Sequence, residues 1–168
     1  ISVGATAGIE ANSHSYVPKI SGDGQYVAFF SHADNLVDDD TNDTTDVFVH
    51  DRESGMTSLV SVNSSGIQGN RQNESPSISA DGRFVSFTST STNLTDNDTN
   101  ATWDVFVHDR ETGETRCVSV NELGDVGNLG SGVSFMAGNG RYVAFSSSAR
   151  NFANNNSSTP IAVAGLKS

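Results

Sequence analysis

The chain has 168 residues, 20 acidic and 9 basic side chains, and a formal net charge of −11 at pH 7. This length fits one domain, and the acidic balance argues against nucleic acid or an anionic membrane surface as a partner, since both attract basic patches. The acidic balance is compatible with a solvated surface or with cation uptake. Cys117 is the only cysteine, so no disulfide forms within the chain. We find neither a membrane-spanning run nor a signal peptide, and interpret the start at Ile1 as that of a mature product or an excised fragment.

Short runs of Val, Ile, Phe and Tyr alternate with clusters of turn residues along the chain, which is typical of an all-β protein. The first of these runs is Ile1–Val3. It resembles Val60–Val62 and Val118–Val120 further along the chain. We therefore predict that residues 1–3 form a strand of the same kind as those two segments.

The next element is a hairpin around Asp23–Gly24, and it identifies the chain as a repeat. Asp and Gly tolerate the positive φ angles that a two-residue hairpin turn requires. The same turn, flanked by similar strand residues, returns at Asp81–Gly82 and at Asn139–Gly140, at intervals of 58 residues. A fixed period of this size indicates one supersecondary unit that is copied and stacked. Such repeats usually provide binding surfaces, and no catalytic motif accompanies this one.

An acidic loop follows the hairpin in the first two copies, at residues 38–46 and 96–104. An oxygen-bearing side chain stands at every second position, so that a tightly curled loop would direct these groups at one point. Ca²⁺ binds about six to eight oxygens from carboxylates, amides and backbone carbonyls. The predicted Ca²⁺ ligands are Asp38, Asp40, Asn42, Thr44 and Asp46 in the first copy, and Asp96, Asp98, Asn100, Thr102 and Asp104 in the second.

The acidic loop is not an EF-hand. The glycine expected at its sixth position is Asp43 or Ala101, and the bidentate Glu expected at its twelfth is Val49 or Val107. We therefore expect weak, structural binding of Ca²⁺, with the threonines contributing carbonyl oxygens. The alternative is a loop whose Asn and Asp side chains satisfy its own backbone through Asx turns. No strong site is expected in the third copy, where the matching residues are Asn154, Asn156, Ser158 and Ala162.

The third predicted strand of each intact copy contains the sequence Asp-Val-Phe-Val-His-Asp. Its valines and its phenylalanine point to opposite faces, so both faces of the unit are apolar and need cover. In the second copy, strands are predicted at residues 75–79, 83–88, 103–109 and 115–120. Each unit is thus a four-stranded antiparallel meander. Stacking such sheets around an axis covers both faces, which predicts a β-propeller.

Three blades are predicted in a single propeller segment, at about residues 16–62, 74–120 and 132–168. The last unit ends after its third strand, Pro160–Leu166, whereas residues 1–3 form a spare fourth strand. Propellers close in this way, with the first strand completing the last blade. Because rings need about four to eight blades, the chain is either part of a longer propeller or half of a six-bladed homodimer. We favour the homodimer, in which each N-terminal strand completes the partner's last blade.

The repeat resembles those of a known family. The patterns Ser-x-Asp-Gly-x-x-Val-x-Phe and Asp-Val-Phe-Val-x-Asp-Arg-x-x-Gly resemble the β-propeller repeats of the TolB and tricorn type, which are related to WD repeats. They are intact in residues 21–55 and 79–113 and degraded in the third copy, and Gly22 and Ala80 replace the usual Pro. The resemblance implies a propeller, commonly six-bladed, in a secreted or periplasmic bacterial protein. It also implies binding of proteins, peptides or glycans, or gating of an enzyme carried by another domain.

These features predict a non-catalytic scaffold that binds a protein or peptide, with Ca²⁺ making its loops rigid. His50 and His108 each precede an Asp-Arg pair, but their duplication on successive units favours a structural role. One alternative is a carbohydrate-binding propeller lectin. Another is an accessory domain of a larger secreted hydrolase. Neither nucleic-acid binding nor membrane insertion is expected.

Overall fold

The computed structural model describes residues 10–152 and 161–166. Within these ranges all regular elements are β-strands, and no helix there is long and apolar enough to cross a membrane. The strands are β1 (Ser15–Ile20), β2 (Tyr26–Ser31), β3 (Asp46–Asp51), β4 (Thr57–Leu59), β5 (Asn73–Ile78), β6 (Phe84–Ser89), β7 (Asp104–Asp109), β8 (Thr115–Cys117), β9 (Ser131–Met136), β10 (Tyr142–Ser147) and β11 (Ile161–Gly165).

The strands form three antiparallel sheets in chain order, which we call blades 1, 2 and 3. Blade 1 is β1-β2-β3-β4, blade 2 is β5-β6-β7-β8, and the described part of blade 3 is β9-β10-β11. The predicted all-β fold of stacked meanders is confirmed. The fourth strand of blade 2 is shorter than predicted: it ends at Cys117, and Val120 forms only an isolated bridge with Val126. The predicted closing strand at residues 1–3 lies outside the described residues.

The first strands of the three blades lie side by side. β1 contacts β5 and β5 contacts β9, whereas β4 and β8 make their main contacts within their own blades. At the hairpins, Gly22 N donates to Ala80 O and Ala80 N donates to Gly138 O, both at 2.9 Å. The blades are therefore joined at their first strands and spread apart towards their fourth, as wedges around a common axis.

Two hydrophobic layers fill the spaces between the blades. The first lies between blades 1 and 2, and the second lies between blades 2 and 3, so that both faces of blade 2 are covered. The first layer includes Ala28, Val47, Val49, Val85, Phe87 and Phe106, and the second includes Val105, Val107, Val143 and Phe145. This two-sided burial explains why the β7 sequence is apolar on both faces. In β3, Phe48 lies on the side of blade 1 away from blade 2, in a third buried cluster with Phe29 and Leu36.

The hairpin glycines are required for space as well as for backbone conformation. Gly82 and Gly140 have φ angles of 73° and 67°. A Cβ atom at Gly82 would collide with the ring of Tyr26 in blade 1, and one at Gly140 would collide with Phe84 in blade 2. Each aromatic side chain therefore lies on the hairpin of the next blade.

The effect of this close approach can be measured with two alanine substitutions. We expect Gly113→Ala to lower the free energy of unfolding by about 1 kcal/mol, because Gly113 has a φ of 77° but no neighbour within 4 Å of the added Cβ. Gly82→Ala adds the displacement of the Tyr26 ring and should cost about 2 kcal/mol more. Urea denaturation of both variants at one protein concentration tests this. Equal losses would show that the Tyr26 contact contributes nothing.

Candidate functional site

The two acidic loops occupy equivalent places, between β2 and β3 and between β6 and β7. In the first loop Asp40 and Asp46 are buried, whereas Asp39 before them and Asp43 between them are exposed. The chain curls at the sixth position, where Asp43 has a φ of 55° and its equivalent Ala101 a φ of 54°. This is the position that glycine occupies in an EF-hand loop. The curl directs the third and ninth positions inward.

In the first loop an amide group lies between the two buried carboxylates. Gln68 Nε2 donates to Asp40 Oδ1 at 2.7 Å and to Asp46 Oδ2 at 3.1 Å. Asn42 is turned to the backbone: its Oδ1 accepts from Thr44 N, and its Nδ2 donates to Gly69 O. A hydrogen-bond donor thus stands where a cation shared by these carboxylates would lie.

The second loop lacks this amide, because Val126 occupies the position equivalent to Gln68. Asp98 is only 1% exposed. Its Oδ1 accepts a long bond of 3.4 Å from Asn100 N, and its buried Oδ2 has no hydrogen-bond partner among the described residues. Asn100 Nδ2 donates to Asp104 Oδ2 at 2.9 Å. A buried carboxylate oxygen without a partner is costly, so the second loop is electrostatically incomplete.

Burial makes the carboxylates of both loops resist ionisation. It raises the pKa of Asp46 and that of Asp104 to about 6, although Ser61 and Ser119 each donate a 2.6 Å hydrogen bond to them. Asp98 raises the pKa of Asp104 further through charge repulsion. The buried carboxylates can be stabilised by protonation, by a hydrogen-bond donor such as an amide, or by a cation.

The predicted ligands are only partly brought together. Asp38 and Asp96, at the first position of each loop, are exposed rather than buried with the other carboxylates. In the described ranges, no three His, Cys, Asp or Glu side chains form a group that could hold a metal. Each loop therefore offers two buried carboxylates, and further oxygens would have to come from an asparagine, the backbone or water. The third-copy residues Asn154, Asn156 and Ser158 lie outside the described residues.

A repeated pair of asparagines positions the segment that supplies Gln68. In blade 2, Asn70 N donates to Asn93 Oδ1 at 3.0 Å, and Asn93 Nδ2 donates to Gln68 O at 2.8 Å. The same backbone-to-side-chain bond joins Asn12 to Asn35 and Asn128 to Asn151. The sequence analysis did not predict these asparagine hydrogen bonds. The recurrence of asparagine at 58-residue intervals was the signal that could have found them.

The two repeated histidines have structural partners. His50 Nδ1 lies 3.0 Å from Thr57 Oγ1, and His108 Nδ1 lies 2.9 Å from Thr115 Oγ1, each across a strand pair. Burial lowers the pKa of both histidines, so they are neutral at pH 7. These contacts support the structural role expected from their duplication.

Comparison with known proteins identifies the fold. No protein-family model matches the sequence, and no curated protein is significantly similar to it. Among solved structures, the chain is similar to a putative TolB from Agrobacterium tumefaciens, with a TM-score of 0.55 and 15% identity over 96% of this chain and 47% of that chain. It is also similar to the β-propeller domain of the Trilobed protease from Pyrococcus furiosus, with a TM-score of 0.52 and 15% identity over 84% of this chain and 36% of that one.

These similarities show a TolB-like β-propeller fold. At 15% identity they show the fold alone. The chain spans less than half the length of either propeller protein. Its three blades therefore form part of a ring that another region or another chain completes.

Proposed function

We propose that this protein is a non-catalytic propeller module that binds a protein or peptide partner and completes a six-bladed ring with a second copy of itself. The observation that carries the proposal is the stacking of equivalent blades through apolar layers. Repeated blades of this kind present broad faces on which partners bind. The two histidines contact threonines on the neighbouring strands. These contacts support a structural role for the histidines rather than a catalytic one.

We further propose that the second acidic loop binds one structural Ca²⁺. The buried, unpartnered Oδ2 of Asp98 supports this assignment, as does the neighbouring carboxylate of Asp104. Asn100 and the carbonyl of Thr102 would add oxygens that suit a hard cation. With no bidentate Glu, the dissociation constant should fall in the extracellular range of about 10⁻⁴–10⁻³ M. In the first loop the Gln68 amide meets the same electrostatic need without a metal.

Calcium titration of loop variants tests the metal site. The 168-residue chain should bind one Ca²⁺ by calorimetry, and Asp98→Asn should weaken binding at least tenfold. Asp96→Asn, an exposed position in the same loop, is the matched control and should change affinity less than twofold. Ca²⁺ at ten times its dissociation constant should stabilise the wild type by about 1.4 kcal/mol. Absence of binding, or equal binding by Asp98→Asn, would refute the site.

Exchanging the residue at the amide position tests why the loops differ. Val126→Gln should supply the donor that Gln68 gives to the first loop, abolishing Ca²⁺ binding while stabilising the metal-free protein. Gln68→Val should create a Ca²⁺ site in the first loop, with an affinity similar to that of the site in the second loop. If neither exchange alters the number of bound ions, the amide does not substitute for the cation.

We infer a secreted or periplasmic bacterial location, because weak Ca²⁺ affinity suits compartments rich in that ion and the repeat resembles those of TolB-type proteins. A second candidate function is that of an accessory propeller domain in a larger secreted hydrolase. The similarity to the propeller domain of the Trilobed protease supports it. Purification of the full-length protein from its native source, followed by mass determination, distinguishes a separate propeller module from a domain of a larger hydrolase.

A further inference from the structure

One contact occurs at both blade interfaces and has unpaired halves on the two outer faces of the chain. Tyr26, at the start of β2, lies on Gly82, and Phe84, at the start of β6, lies on Gly140. The third aromatic of this series is Tyr142, at the start of β10. No further blade among the described residues packs against it, and it is 53% exposed.

The matching vacancy lies at the other end of the chain, beside Gly24. This glycine is the first of the series, and a Cβ atom placed on it would meet only Arg52 Nη1 at 3.8 Å and Ile20 Cδ1 at 3.9 Å among the described residues. The cavity there measures about 340 Å³, against about 250 Å³ at the slot whose lining includes Tyr26. The cavity is lined by Asp23, Gly24, Gln25, Arg52 and Glu53.

An arginine already stands in position to receive an aromatic ring in this cavity. At the occupied slot, the guanidinium of Arg110 lies 4.3 Å from the centroid of Tyr26, and its Nη1 donates to Gly82 O at 2.7 Å. The equivalent Arg52 Nη1 donates to Gly24 O at the same distance. Because this bond fixes the guanidinium, a ring entering the slot would meet a preorganised cation–π partner.

The apolar side chains around these two half-sites are also exposed where their equivalents are buried. Ile20 on blade 1 is 61% exposed, whereas its equivalent Ile78 is 8% exposed beneath blade 1. Val163 on blade 3 is 64% exposed, whereas Val49 and Val107, which hold the same register position in β3 and β7, are buried. At their hairpin ends both outer faces therefore carry the halves of an interface that the chain forms twice internally, whereas Phe29 and Phe48 in the middle of the blade 1 face are already buried.

Backbone hydrogen-bonding groups and charged side chains on the two outer faces are also complementary. The series of bonds from Gly22 N to Ala80 O and from Ala80 N to Gly138 O leaves Gly138 N and Gly22 O without this bond among the described residues. The rim of the Gly24 slot is acidic, since it contains Asp23 and Glu53. Tyr142 is preceded by the exposed Arg141, so blade 3 carries a positive charge next to the ring that would enter the slot.

We propose that blade 3 docks on blade 1 of a second copy, with Tyr142 entering the slot formed by Gly24 and Arg52. This inference rests on the proposed function, which requires completion of the ring, and it names the partner and the residues that select it. Because every copy carries both halves, two copies related by a two-fold axis form two such interfaces and leave neither face uncovered. The ring then has six blades.

Light-scattering mass determination of the 168-residue chain tests the docking. The wild type should be a dimer at micromolar concentration. Tyr142→Phe should remain a dimer, because Phe84 fills the same place one blade earlier, whereas Tyr142→Asp should be a monomer with unchanged circular dichroism. The matched control is Met56→Glu, at an exposed apolar position in the β3–β4 turn where blade 2 has Glu114; it should stay dimeric. A monomeric wild type, or a dimeric Tyr142→Asp, would overturn the proposal.

A variant on the opposite half-site keeps the test decisive if Tyr142→Asp does not fold. Asn tolerates the left-handed conformation of Gly24, and its side chain would fill the slot, so Gly24→Asn should also be monomeric. Arg52→Ala should weaken the dimer at least tenfold. Dimers in both variants would show that association uses another surface.

Calcium titration separates this inference from the proposed metal site. A monomeric wild type that still binds Ca²⁺ overturns the docking and leaves the second loop's metal site standing. It would also assign the Gly24 slot to further blades of a longer chain. A wild-type dimer that becomes a monomer in Tyr142→Asp and Gly24→Asn, with no Ca²⁺ bound in any variant, supports the docking and refutes the metal site.

Discussion

Replacing Phe106 by alanine is expected to lower the free energy of unfolding by about 3–5 kcal/mol. The side chain is fully buried in the layer between blades 1 and 2, where its ring stacks on Phe87 with centroids 5.8 Å apart. Two rigid sheets enclose this layer and relax little, so the substitution leaves a cavity rather than a collapsed core. Urea unfolding of variant and wild type at one protein concentration measures the loss.

The third blade supplies a rescue for this variant. It has Ala162 where blade 2 has Phe106, since Ala162 pairs with Phe145 as Phe106 pairs with Phe87, and Phe152 where blade 2 has Leu94. Phe152 contacts Phe145 edge to face, with centroids 6.1 Å apart. Adding Leu94→Phe to Phe106→Ala should therefore recover about 1–2 kcal/mol.

The control for the Phe106 substitution is an exposed apolar residue. Leu123→Ala should change the free energy of unfolding by less than about 0.5 kcal/mol, because Leu123 is almost fully exposed. A loss below about 1 kcal/mol in Phe106→Ala would mean that the blades are not packed through this layer.

In the absence of Ca²⁺, stability is expected to fall as pH rises from about 4 to 7. Burial raises the pKa of Asp46 and Asp104 from 3.8 to about 6, so the folded state holds these protons more tightly than the unfolded state. Their contribution is complete below pH 3.8 and is lost as pH rises through about 6. Each group then costs up to about 3 kcal/mol at pH 7.

Asp109 acts in the opposite direction and limits stability in acid. The Arg83 side chain donates to both its carboxylate oxygens, at 2.9 and 2.7 Å, and holds its pKa at about 2. The stability that this pair contributes is present above pH 3.8 and is lost as pH falls towards 2. The stability maximum should therefore lie near pH 4.

Urea unfolding across this pH range, in chelator, provides the measurement. Asp104→Asn removes one of the two titrating groups and should roughly halve the fall between pH 4 and 7. Adding Ca²⁺ should restore stability at pH 7 in the wild type but not in Asp104→Asn. A stability that rises steadily from pH 4 to 7 would contradict the assignment of strained carboxylates to these loops.

The sequence alone determined the fold, because the period of 58 residues and the pattern within each copy reflect local chemistry. Asp-Gly turns, alternating apolar residues and the two-sided apolar strand at 104–109 act over a few residues each. Their repetition then implied stacked blades. The same local logic identified the inward third and ninth positions of the acidic loops, since alternation along a curled loop places those side chains on one side.

Only the tertiary structure decided which residues from different units meet. Gln68 reaches Asp40 and Asp46 from the following blade's entry segment, and Val126 in its place leaves Asp98 unpartnered. Tyr26 contacts Gly82 across a blade interface, and this contact likewise depends on how two sheets stack. Such pairs lie tens of residues apart and follow no local periodicity, so their identity depends on the angle and spacing of the blades.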